Sequence, residues 1–463
     1  MQRLFAIAFL TVKAAVRFRL FLVQAVLLLA VVIGLPLVIK DDGTAEGFTQ
    51  ILLTYTLGLT SAILGLSTLW LGCGTLARDV EECQIQMVAV KPIARWQIWL
   101  GKWLGIMLLN LALLTLAGTS IYLLLQWRAS RLPPDLQAKL HNEILVARAS
   151  LKPLLPNLDA AAERFYQQRL KQDPAVAKLD PDFVRKQLRQ QLRNQLELVP
   201  PGMYKTWRID FGLQRDSVRN QPLFLRVKFN TAQLGLSGTT FAAMWQVGRP
   251  ETVHSWQTQQ PMSLAPDTFH EIQLPPNLLD DQGRLTINFF NVNDTALLFP
   301  LDDGIEVLYR QGGFGPNYVR GLAIILLWLG LLAAIGLAAA SALSFPVASF
   351  LAVAVLVLGL STGTINQILY EGSIWSVNHN TGVADHPAPI DYLMLPLFRA
   401  LHQVIGLVED FSPIDLLSTG RSISWTDLGM ACAQIGLLLG GVISLVGMSL
   451  FSRRELATAQ GQQ

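Results

Sequence analysis

Residues 76–105 read LARDVEECQIQMVAVKPIARWQIWLGKWLG, a charged stretch set between two apolar ones. Upstream, residues 51–74 are nearly all apolar; downstream, residues 98–125 carry Lys102 as their one charge. Each run is long enough to cross a hydrocarbon core, which takes roughly 20 helical residues. Two spanning helices joined by a charged bend follow from this. That hairpin makes the chain a polytopic α-helical membrane protein.

The composition agrees. Of 463 residues, 51% are hydrophobic and only 15% charged, too apolar for an ordinary soluble chain. The net charge of +3 comes with no long basic run, which excludes a nucleic-acid binder. Cys73, Cys83 and Cys432 fall in or beside apolar segments, match no metal spacing and offer no disulfide framework.

Six spans are expected, at about 20–39, 51–74, 98–125, 318–341, 347–368 and 428–451. Residues 4–19 interleave apolar side chains with Lys13, Arg17 and Arg19, the pattern of an amphipathic helix on the inner leaflet. A cleavable leader is disfavoured because no small-residue cleavage site follows. Cations gather before the first span, between the second and third (Arg78, Lys91, Arg95) and after the sixth (Arg453, Arg454). Segment 369–427 opposes Arg399 and Arg421 with seven acids. The positive-inside rule then places both termini in the cytoplasm and the polar middle outside.

That middle divides in two. From Pro133 to Leu198, Leu188, Leu192 and Leu196 recur beside Arg185, Arg189 and Arg193, an amphipathic helical pattern with a solvated cationic face. From Met203 the period changes to two: Leu223, Leu225, Val227 and Phe229 alternate with Phe224, Arg226 and Lys228, and Leu285, Ile287 and Phe289 follow suit. Further strands fit near 204–211, 240–248, 268–274 and 305–310, with Asp-Gly and Pro-Pro turns between, so an antiparallel β-sandwich is expected. Trp207, Trp245 and Trp256 could form a stacking platform for a sugar or peptide, or fill the core. Asn291, Asn293 and Asp294 could offer oxygens to calcium, or make a turn.

The expected organisation is therefore a first transmembrane half over 1–126, with an interfacial helix, three spans and a bend at about 77–95. An extracytoplasmic α+β insertion follows, helical over 127–200 and a β-sandwich over 201–317. The second transmembrane half covers 318–463, with three spans and the external loop 369–427.

Several chemistries are missing. Leu100-Gly101-Lys102-Trp103 lacks the rest of a phosphate loop, so this chain is not an ATPase by that route. No HExxH, GxSxG or CxxC occurs. Glu371, His379, Asp385 and His386 share one loop but follow no ligand spacing, so no catalytic, cofactor or metal site is assigned.

Four pieces resemble the permease subunits of ABC transporters of the second exporter type. They are AIAFLTVKAAVRFRLFLV near the N-terminus; Glu81-Glu82 with Lys91-Pro92-Ile93-Ala94-Arg95 and GKWLG at 101–105; DFSPIDLLSTG at 410–420; and FSRREL at 451–456. The likeness covers about 1–126 and 318–463 and leaves out the middle. It implies a non-catalytic chain in a bacterial cytoplasmic membrane, an exporter that pairs with a second permease, identical or not. A separate cytoplasmic ATPase would carry ATP and magnesium. The elbow Arg78–Val90 would dock on that ATPase through Arg78, Asp79, Val80, Glu81, Glu82, Met87, Lys91, Pro92 and Arg95. In this reading Asp79, Glu81 and Glu82 open a helix, where acids favour the dipole, and Pro92 closes it. Arg17, Arg19, Lys102, Arg453 and Arg454 would anchor the chain to membrane lipids, Lys102 by snorkelling outward. The competing reading is a membrane-anchored scaffold whose sandwich holds an extracytoplasmic partner without transport. A membrane enzyme working through the His379–His386 loop ranks third.

Overall fold

The computed structural model describes residues 2–17, 19–38, 44–85, 93–172, 181–231, 240–249, 255–371, 373–374, 389–409 and 411–454. The chain is mostly helical and forms two compact units, one from Met1–Ala147 with Gly313–Gln463, the other from Arg148–Gly312.

The helical unit contains α1 (Gln2–Arg17), α2 (Leu20–Val38), α3 (Ala45–Glu81), α4 (Arg95–Ala129) and α5 (Pro134–Glu143) from the first half. After the second unit, which carries α6 (Leu158–Gln172), α7 (Pro181–Glu197) and α8 (Arg215–Val218), it resumes with α9 (Phe314–Ala342), α10 (Phe345–Leu360), α11 (Thr362–Glu371), α12 (Asp391–Glu409), α13 (Pro413–Ser418), α14 (Trp425–Ala431) and α15 (Gly441–Arg453). Cys432–Gly440 joins α14 to α15 as a π-helical segment.

Among the described residues, four helices are long and apolar enough to cross a membrane: Gly47–Glu81, Arg95–Ala129, Phe314–Ala342 and Trp425–Arg453. Two bent pairs, α1 with α2 at 67° and α10 with α11 at 58°, raise the total to six if each is one span. Outward-facing Phe350, Leu360, Leu437 and Leu445 are exposed although apolar, as suits lipid rather than water.

α9 is the central post, packed against α3, α4, α10 and α15. Small residues allow its close approach to α3: a Cβ added at Gly72 would lie 3.2 Å from the Gly336 Cα. α1 lies along α4 over Gly101 and Gly105, where an added Cβ would sit 2.7 Å from the Ile7 Cβ and the Ala8 oxygen respectively. It buries Ile7, Ala8, Thr11 and Ala15 there. The segment expected as an external loop over 369–427 contains α12 and α13. α13 docks on α3 and α9, and Gly420 (φ +67°) turns the chain where a Cβ would strike the Glu143 carbonyl at 2.3 Å.

The second unit is built on antiparallel pairing. Strands β3 (Tyr204–Asp210), β10 (Arg284–Asn291), β6 (Phe241–Gly248) and β7 (Ser255–Gln257) are neighbours in one sheet, with β8 (Met262–Leu264) also on β6. A second sheet has the order β1 (Val146–Leu151), β12 (Ile305–Gly313), β4 (Leu223–Val227), β9 (His270–Leu274). A small third sheet pairs β11 (Leu297–Leu298) with β2 (Leu198–Val199) and β5 (Asn230–Thr231). The two large sheets share one core, containing Leu225, Val227, Ile272 and Val307 from one and Ile209, Trp245, Ile287 and Phe289 from the other. Alternation of burial along β6 and β10 follows the two-residue period of the sequence.

The expected helical stretch from Pro133 to Leu198 needs one correction. It contains α5, α6 (Leu158–Gln172) and α7 (Pro181–Glu197), but Val146–Leu151 is a strand. Its Arg148 meets Glu271 at 2.8 Å and its Ser150 meets Glu306 at 2.7 Å, partners more than a hundred residues away. Leu188 and Leu192 of α7 face α6, while Arg185, Arg189 and Arg193 pair with Glu163, Asp159 and Glu197. Mutual ion pairing therefore satisfies this cationic face.

A candidate coupling site at the charged end of the helical unit

One end of the helical unit gathers the N-terminal helix, the bend and the C-terminal helix. Ile7, Ala77, Ile85, Ile98, Trp99, Leu337, Ala348 and Phe451 share a single buried cluster there. The α9–α10 turn closes the same end. Polar groups cross-link these elements.

Asp79 and Glu81 lie in the last turn of α3, not at the start of a helix as expected. Acids there oppose the dipole, and long-range partners offset the conflict. The Lys102 ammonium reaches back from α4 to Asp79 Oδ2 at 2.5 Å and also donates to the Thr75 carbonyl at 2.6 Å. Lys102 is buried, so the expected outward snorkelling is replaced by an inward ion pair. Glu81 accepts the Phe345 N–H at 2.8 Å and so caps the N-terminus of α10. Arg78 lies 4.3 Å over the Phe345 ring, whose edge meets Trp70. Val80 packs against the buried cluster. Glu82 ends α3 and receives a bond from Gln84, and Cys83 follows at φ +57°, a left-handed turn that is uncommon for a residue with a Cβ.

The cations beyond the bend also differ from simple lipid anchors. Arg95 donates to the carbonyls of Phe451, Ser452 and Arg454, closing the end of α15. Arg454 in turn donates to Ala340 at 2.9 Å and Ser341 at 3.4 Å, closing the end of α9. Both follow the rule that cations satisfy the orphan carbonyls of helix C-termini. Deeper in, Trp99 Nε1 donates to Ser341 Oγ at 3.2 Å, and Thr68 donates to Asn110 at 3.0 Å between α3 and α4. Arg17, Arg19 and Arg453 are exposed. Met87, Lys91 and Pro92 lie outside the described residues, as do His379, Asp385 and His386.

Ser341 and Phe345 were absent from the expected site. A signal for them existed only in the short Ser344-Phe345-Pro346 turn; nothing local joins it to Glu81.

In the second unit, Trp245 is buried against Phe289 and Phe299, while Trp207 and Trp256 pack on the core as half-buried side chains. The three indoles thus serve the core, and no shared open platform results. Trp207 also lines a cavity of about 500 Å³ with Lys205, Arg208 and the Pro153–Pro156 segment. Burial pushes the Lys205 ammonium down to about 8, although Glu197 opposes the shift. Asn293 bonds both backbone groups of Ala242 and Asn291 holds the Val199 carbonyl. These amides brace a turn instead of presenting a calcium cage. Among the described residues, no three His, Cys, Asp or Glu side chains converge as metal ligands.

Compared with family models, curated proteins and solved structures, the chain matches none.

Proposed function

We propose that this chain is the permease subunit of an ATP-driven ABC exporter in a bacterial cytoplasmic membrane. A separate cytoplasmic ATPase that binds ATP and magnesium powers it, and a second permease chain, identical or not, completes the pathway. Both termini and the bend after α3 face the cytoplasm in this reading, and Arg148–Gly312 lies outside.

The observation that supports it best is the clustering of α1, the α3–α4 bend, the α9–α10 turn and the end of α15 at one end of the helical unit. A push on the bend has a stiff route into both halves. Asp79 bonds to Lys102 on α4, Glu81 to the start of α10, and Arg95 to the end of α15.

Cys83 supplies the test, being exposed on the bend while Cys73 is buried. In a Cys432→Ser background, purification from native membranes in mild detergent is expected to bring along a phosphate-loop ATPase. That subunit is expected to shield Cys83 from a bulky maleimide. Absence of any ATPase, or labelling of Cys83 from outside intact cells, overturns the proposal.

A further inference from the structure

The face of the β3–β10–β6–β7 sheet turned away from the core has a pattern that the core does not explain. Registers place Asn288 opposite Thr206 and Gln246, and Gln246 opposite Gln257. Four uncharged hydrogen-bonding side chains therefore form one row across four strands. With strands about 4.8 Å apart, three gaps span roughly 14 Å. Thr206 donates to Asn288 Oδ1 at 2.7 Å, and Asn288 Nδ2 approaches Gln246 Oε1 at 3.4 Å, so the row is ordered. Beside it runs a second row, Tyr204, Phe290 and Met244, in register with one another. Tyr204 is 74% and Phe290 42% exposed, large rings left facing solvent.

Six of these side chains (Tyr204, Met244, Gln246, Gln257, Asn288 and Phe290) line a cavity of about 430 Å³. No charged side chain joins them among the described residues. That lining selects its occupant by chemistry. A purely apolar ligand would strand the amides without partners. A charged one would find no counter-charge in the lining itself. A neutral saccharide meets both rows: its hydroxyls donate to and accept from the amides, and its C–H faces lie on the aromatic rings.

We propose that this sheet face is a binding site for a neutral oligosaccharide, with Gln246, Gln257 and Asn288 bonding its hydroxyls and Tyr204 and Phe290 stacking on its rings. The site does not depend on the transport reading and stands or falls separately from it.

The test uses the full chain in an alkyl phosphocholine detergent, since a glycosidic detergent would compete. Cellopentaose, maltopentaose and the pentamer of N-acetylglucosamine are titrated in turn by calorimetry and by saturation-transfer NMR. At least one is expected to bind with a Kd of about 1 mM or tighter. Gln246→Ala and Tyr204→Ala should each weaken it about tenfold, equivalent to 1.4 kcal/mol. Tyr204→Phe keeps the ring and should retain binding, as should Gln273→Ala on the other sheet. Unchanged thermal midpoints would show that the outward substitutions leave the fold intact. No saturable binding of any probe below about 10 mM, or binding indifferent to Gln246 and Tyr204, overturns the site.

Discussion

Lys102 is a buried ammonium, and its stability rests on one carboxylate and one carbonyl. Removing a single partner of such a pair leaves an uncompensated charge, whereas removing both can be nearly neutral. Asp79→Asn is therefore expected to destabilise the helical unit by about 3 kcal/mol or more. Lys102→Met combined with Asp79→Leu should recover most of that loss, measured as thermal midpoints in detergent. Two single variants and a double that merely add would show that the pair is not coupled. The sequence exposed the charges of this site without their partners. Local dipole logic assigned Asp79 and Glu81 to a helix start, because nothing within a few residues reveals a lysine 23 positions on or the Phe345 N–H. Lys102 read as a snorkelling cation for the same reason: its spacing within α4 says that it is costly, not where it turns.

At the scale of elements, α1 is held by backbone proximity more than by side-chain bulk. Gly105 lets the Ala8 carbonyl and Thr11 Cβ approach to within 2.7 Å of where a Cβ would stand. Gly105→Ala must lift α1 off α4, an overpacking cost of about 1–3 kcal/mol. Hydrogen exchange across residues 2–17 should accelerate while α9 stays protected. Gly58→Ala on α3 is the control, since nothing lies within 4 Å of its added methyl and helix propensity favours alanine. Unaltered exchange in α1 would refute this account of its attachment. The long helices were legible because apolar runs of membrane length leave little choice, and β10 because buried and more exposed positions alternate along it. β1 was not. VARASL lacks a β-branched run, and its central arginine reads as surface. Its strand state depends on Glu271 and Glu306, which only tertiary structure delivers.

For the whole molecule, two units with separate cores imply separate stabilities. The sheet core is drawn from residues between Ala149 and Tyr309, and the helical unit has its own apolar clusters. Phe299 is the keystone of the former: it is 2% exposed, and its ring lies 5.0 Å from Phe289, 5.2 Å from Trp207 and 5.8 Å from Phe229. Truncation to alanine removes those contacts and opens a cavity, a loss of about 3–5 kcal/mol. Because each unit keeps its own core, the loss should appear as faster amide exchange in β6 and β10, with α9 and α4 unchanged. Maleimide reactivity of buried Cys73 gives a second readout of the helical unit and should stay low. If Phe299→Ala instead loosened α9 and exposed Cys73, the two units would form one cooperative block. A membrane machine that moves its exported part as a rigid extension would need that block; one that carries an autonomous sugar-binding head would not.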